Sequence, residues 1–133
     1  MTEAAPYLLA VYMAERDGEV PAPPKRVAEA VGRSPAATTE MLQRLEARDL
    51  VVYEPYEGAE LTAAGREAAT DLHEAYRTLS RFFRDVLDLD EPDAEAMKLA
   101  GSVSPLVTER LAAVLLVEAE PSPSPETVPA EGN

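Results

Sequence analysis

A mostly α-helical fold is predicted for this 133-residue chain: an N-terminal winged helix-turn-helix with a β-hairpin wing, followed by a helical dimerisation domain. Three observations predict it. Residues 25–48 hold two short helical stretches separated by Gly32-Arg33-Ser34-Pro35. Residues 50–62 alternate and turn as a hairpin does. From Ala63 to about Leu87, apolar residues recur at spacings of three and four, a seam longer than a small winged helix needs.

The first helix is expected over residues 3–16, with Leu8, Val11, Tyr12 and Glu15 on one stripe and Asp17-Gly18 stopping it. Proline-rich Val20 to Pro24 is extended. Lys25 to Val31 forms a short amphipathic helix. Ser34 caps the next one, with Pro35 at its first position, where the missing N–H costs nothing. That helix runs from Ala36 to about Arg48, and Thr38, Met41, Leu42 and Leu45 face one side. Leu50 to Glu54 and Ala59 to Thr62 read as strands joined through Pro55-Tyr56-Glu57-Gly58.

Thr62 is a good N-cap for the long helix. Its apolar seam is Leu72, Tyr76, Leu79, Phe83, Val86 and Leu87, and its length is about 40 Å at 1.5 Å per residue. Asp90-Glu91-Pro92 breaks the chain before a short helix at about 92–100. Ser104-Pro105 starts a last helix to about Glu118, with Val107, Leu111, Val114 and Leu115 on one face. The tail beginning Pro121-Ser122-Pro123-Ser124-Pro125 reads as disordered. The expected domains are 1–66 for DNA binding, 67–119 for dimerisation and 120–133 for the acidic tail.

Composition narrows the function classes. The chain has no cysteine, which removes disulfides, thiolate metal ligands and thiol redox chemistry. It has no apolar run of membrane-spanning length and no signal-peptide pattern, so a soluble cytoplasmic protein is expected. Net charge is −13, unusual for a DNA reader. The charge is unevenly placed: residues 21–66 carry six bases against seven acids, while residues 67–133 carry five against fourteen. Two Lys beside ten Arg suit a halophilic protein. In molar salt the Debye length falls to about 3 Å, so acidic flanks would barely repel DNA there. A single His and the lack of a phosphate loop or nucleophile motif argue against an enzyme.

The chain resembles the diphtheria-toxin-repressor and manganese-transport-regulator family of metal-dependent transcriptional regulators. The resemblance is carried by Tyr7 to Met13, Lys25 to Val31, Ser34 to Leu50, Val52 to Arg66, and Phe82 to Asp90. It covers roughly residues 3–117, and the hairpin ending Leu61-Thr62-Ala63-Ala64-Gly65-Arg66 is its most specific part. It implies a homodimer on a palindromic, double-stranded operator. The apolar faces of the long helix and of residues 92–117 argue independently for a self-complementary pairing.

On the second helix of the motif, Ser34, Ala36, Ala37, Thr39, Glu40 and Gln43 lie opposite the buried stripe. Ala and Thr methyls suit thymine, and Glu40 offers an acceptor to cytosine N4. Gln43 and Arg44 are placed to reach phosphate. Lys25, Arg26, Arg33 and Arg66 are the expected phosphate contacts. Ser34 caps its helix whether or not it also reaches a base.

The resemblance also implies an activating Mn2+ or Fe2+, bound in part by Glu or Cys, two residues, then Glu-His. Here that stretch is Met97-Lys98-Leu99-Ala100-Gly101. The long-helix ligand positions fall on Tyr76 and Ser80, or on Arg77 and Arg81, and those of the first helix on Pro6 and Leu9. A Mn2+ or Fe2+ site needs several converging O or N donors, and the ligand positions are mostly lost. The remaining candidates are His73, read as a solvated surface residue, and Met97. Metal sensing is therefore expected to be absent, with Arg77 or Lys98 replacing the metal's charge. Two other readings stay open. One is a regulator responding to a non-metal ligand in a pocket lined by Tyr12, Tyr76, Phe82, Phe83 and Met97. The other is a winged helix that serves only as a protein-interaction module.

Overall fold

The computed structural model describes residues 3–119; the acidic tail expected at 120–133 lies outside them. Helix α1 (Ala5–Arg16) leads, followed by α2 (Pro24–Val31) and α3 (Pro35–Ala47). The hairpin β1 (Val51–Glu54) and β2 (Gly58–Leu61) precedes α4 (Ala63–Asp85), α5 (Pro92–Leu99), a 3₁₀ turn at Ala100–Ser102 and α6 (Pro105–Ala119). The mostly helical, winged architecture expected from the sequence is the one observed.

Local chemistry sets most of these ends. Gly18, with φ +90°, carries the chain out of α1, and Gly32 closes α2 in the left-handed conformation. The Ser34 hydroxyl accepts from the Ala37 N–H at 3.1 Å and Thr62 Oγ1 accepts from the Gly65 N–H at 3.0 Å, each capping its helix. Ser104 does the same for α6 through the Val107 N–H at 3.3 Å. In the hairpin, Val51 pairs with Leu61 and Glu54 with Gly58. A third segment joins that ladder, because Ala22 and Ala59 exchange backbone bonds of 2.8 and 3.0 Å. Gly58 permits it: a Cβ there would sit 2.1 Å from the Ala22 carbonyl oxygen.

The head has one core. Leu8 and Val11 of α1, Val27 of α2, Leu42 and Leu45 of α3, and Val51, Ala59 and Leu61 of the hairpin meet there, closed by Ala69 of α4. Thr38 is fully buried on the same face of α3. Helix α4 then runs without interruption through the expected domain boundary at residue 66. Its far half forms a second core in which Leu79 and Phe83 pack on Ala96, with Tyr76, Phe82, Val103 and Leu111 around them.

Two apolar faces are only partly covered. Of the α6 stripe, Leu111 and Leu115 turn inward, while Val107 and Val114 are each 48% exposed. Val86 and Leu87 lie beyond the end of α4 and are also exposed. No described helix is long and apolar enough to cross a membrane.

Candidate nucleic-acid interface

The capped start of α3 fixes which of its sides is free. With Thr38, Leu42 and Leu45 buried, the 3.6-residue period leaves Ala36, Glu40, Gln43 and Arg44 exposed on the opposite face. Ala37 and Thr39 flank it and are half-buried. Ala37 also borders a cleft between the head and α5, with Tyr7, Met41 and Met97. Glu40 and Arg44 form a loose pair on the helix surface at 3.7 Å, an interaction that adds little to stability and leaves both able to reach a ligand.

The structure brings together only part of the expected cationic set. Lys25 and Arg33 are exposed and make no ion pair among the described residues. Arg26 is bound by two carboxylates, Asp17 at 2.7 Å and Glu19, which lock the loop after α1 onto α2. Arg66 donates to Glu15 at 2.7 Å. Two residues outside the expected set belong to this surface. Arg48 is exposed one turn beyond Arg44, and that i, i+4 spacing is the signal for it. Tyr56, 98% exposed with φ +70°, stands at the tip of the wing. The wing itself presents Glu54, Glu57 and Glu60 to solvent.

The expectation that His73 is a solvated surface residue is corrected. Its ring lies between Tyr12, at a centroid distance of 5.1 Å, and Tyr76, at 6.0 Å. Burial, with Arg16 and Arg77 nearby, holds its pKa below the ordinary 6.5. The sequence misses this because Tyr12 lies on α1, sixty-odd residues away. The unfolded chain therefore takes up a proton here before the folded one does, and stability falls as pH drops below about 6.5. His73→Phe is expected to flatten the dependence of the urea midpoint on pH between about 7 and 5.5; an unchanged slope would assign it to other groups.

The positions at which the resemblance places metal ligands make other contacts here. Met97, partly buried, packs with Met13, Leu72 and Tyr76 around buried Leu9, Ala75 and Ala100. The Ser80 hydroxyl donates to Asp93 at 2.7 Å, and Arg81 lies 3.6 Å from Asp85. Among the described residues no three His, Cys, Asp or Glu side chains converge. Mn2+ and Fe2+ favour oxygen and imidazole donors, and these residues do not fit them. Of the aromatic residues proposed to line a ligand pocket, Tyr12 and Tyr76 flank His73, and Tyr76 also packs, with Phe82, against the core of Leu79 and Phe83.

Two family models match the chain. The family model described as the iron-dependent repressor N-terminal DNA-binding domain matches residues 1–59. The model for the family's metal-binding and dimerisation domain matches residues 62–125. An HTH-type transcriptional regulator of Methanocaldococcus jannaschii is 34% identical over 107 residues, 79% of this chain and 86% of its own. The regulator MntR of Bacillus subtilis is 32% identical over 65 residues, 49% of this chain and 45% of its own. The structure of the manganese regulator SloR superposes with a TM-score of 0.71 at 30% identity, over 85% of this chain. This chain spans 53% of that SloR chain, about half its length.

Proposed function

This chain belongs to the iron-dependent repressor family, and from that premise we propose that two copies of it read a palindromic operator as a transcriptional repressor that no longer answers to metal. The observation that carries the DNA-reading part is the Ser34-capped α3, whose face of Ala36, Glu40, Gln43 and Arg44 is open to solvent beside Lys25 and Arg33. Methyl, carboxylate and amide groups on that face supply base contacts. Lys25, Arg33, Arg44 and Arg48 supply phosphate contacts, and Tyr56 extends the wing toward the backbone. Arg26 and Arg66 serve first to brace the head, through Asp17, Glu19 and Glu15.

Pairing of two copies is supported by where apolar surface remains. Among the described residues, eight of eleven exposed large hydrophobic side chains fall between Val86 and Leu116. Val107, Val114 and Leu116 on α6, together with Leu87 and Leu89, form the surface a second copy would cover. Reading heads about 34 Å apart then meet successive major grooves. Loss of metal sensing is supported by the apolar and cationic residues at the ligand positions. Nothing in this reading calls for catalysis.

Lys25→Glu combined with Arg33→Glu tests the DNA-reading part. Both side chains are exposed and make no ion pair among the described residues, so the fold is expected to survive. Affinity for a duplex from the chain's own upstream region is expected to fall about a hundredfold, near tenfold per reversed charge. An unchanged affinity would move the DNA contacts elsewhere. A wild type that binds no duplex, with partner binding intact, would favour the protein-interaction reading. Arg66→Glu is avoided because it would set a second carboxylate against Glu15 and confound folding with binding.

A further inference from the structure

Helix α4 alone would join the head to the C-terminal domain as a single lever, free to bend. A second junction is present where α1, α4 and the 3₁₀ turn meet. Leu9, Ala75 and Ala100 are buried on one another there, with Met13, Leu72, Tyr76 and Met97 packed around them. Beside that cluster, a Cβ built on Gly101 would lie 2.4 Å from the Ala5 Cβ and 3.8 Å from Leu72 Cδ2. The first distance is far inside van der Waals contact. The turn seats on α1 because residue 101 has no side chain and residue 5 has only a methyl group.

We infer that this apolar joint is the tie that fixes the reading head on the C-terminal domain, in the place where the family pattern puts a metal, so that the DNA-binding arrangement is permanently set. The inference rests on the DNA-reading proposal and adds to it the physical device that makes a metal unnecessary. The seat of the turn on α1 also explains why a single reversion would not restore a site. A histidine at residue 101 has a Cβ that Ala5 excludes, and Leu9 and Ala100 fill the remaining space with groups that donate no electron pair.

The test uses the full chain, Gly101→Ala, and the double variant Gly101→Ala with Ala5→Gly. The single variant places two methyl groups at an impossible distance. The double variant removes one of them and leaves contacts of 3.8 and 3.9 Å. Two readouts are followed: affinity for the upstream duplex, and amide hydrogen exchange at residues 5–9 and 97–102. In Gly101→Ala, exchange at both segments is expected to accelerate and DNA affinity to drop about tenfold or more. Dimerisation and exchange in α3 should stay as they were. The double variant is expected to recover both readouts, and Mn2+ to change neither in any variant.

Unaltered exchange in Gly101→Ala, or failure of the double variant to recover, would overturn the joint. So would a Mn2+-dependent gain in affinity. A wild type that binds no duplex would instead remove the DNA-reading proposal, while the exchange data still decide whether the joint exists. If Gly101→Ala does not fold, Met97→Ala serves in its place: it thins the same cluster without a clash, and it should accelerate exchange at the same two segments.

Discussion

Gly65→Ala is expected to destabilise the chain by about 3 kcal/mol or more. Residue 65 lies in the first turn of α4, where the helix start is wedged against the backbone leaving α3. The Leu50 carbonyl oxygen would be 1.8 Å from a Cβ at this position, and the Leu50 carbonyl carbon 2.8 Å away. That oxygen already accepts the Thr62 N–H at 3.1 Å, and Thr62 Oγ1 donates to the Asp49 carbonyl at 2.7 Å. The backbone is pinned from both sides and has no easy way to retreat. Ala64→Gly is the control, an exposed substitution in the same turn that should cost about 1 kcal/mol or less. Urea unfolding of the two variants separates them, and a loss under about 1 kcal/mol for Gly65→Ala would mean that the helix start shifts freely.

Glu15→Ala has the second largest expected effect, about 2–4 kcal/mol. The Glu15 side chain is only 6% exposed. One of its oxygens accepts the Leu61 N–H at 2.8 Å, and the other accepts Arg66 at 2.7 Å. It thereby ties α1 to the inner strand of the wing and to the start of α4. Removing it leaves the part-buried Leu61 N–H without its acceptor and releases Arg66 to solvent. Arg66→Ala should cost less, because the Arg66 side chain is 55% exposed and Glu15 keeps the Leu61 bond. Glu15→Gln should fall between wild type and alanine, since an amide oxygen can still accept one of the two bonds. Equal losses for Glu15→Ala and Arg66→Ala would locate the energy in the ion pair alone.

These two positions give the Leu-Thr-x-x-Gly-Arg run its physical meaning. Thr62 caps α4, Gly65 admits the Leu50 carbonyl, and Arg66 reaches back to Glu15. The cap is readable in the sequence because donor and acceptor are three residues apart. The same holds for Ser34 and Ser104, and for the hairpin pairing. The Gly65 approach and the Glu15 bridge are not readable, because their partners are fixed only when α1, the hairpin and α4 close on each other. Glu15 sits on a stripe with Leu8 and Val11, and nothing in its spacing distinguishes a buried carboxylate from a misplaced one.

The candidate site divides along the same line. The open face of α3 follows from its helical period once Leu42 and Leu45 are assigned to the core. The engagement of Arg26 by Asp17 and Glu19 depends on how the loop after α1 folds back, which periodicity does not encode. His73 between Tyr12 and Tyr76, and Gly101 on Ala5, join residues from opposite ends of the chain. The sequence does show that ligand atoms are missing at Ala100 and Gly101. It does not show that Ala100 is buried with Leu9 and Ala75, or that Gly101 seats against Ala5.

The most direct test is a titration of the wild-type chain against a duplex from its own upstream region, first with a chelator present and then with added Mn2+. Saturable binding of two protomers per site in chelator, altered less than about twofold by the metal, is the expected result. Binding that appears only when Mn2+ is supplied would contradict a reading head held in place by side-chain packing.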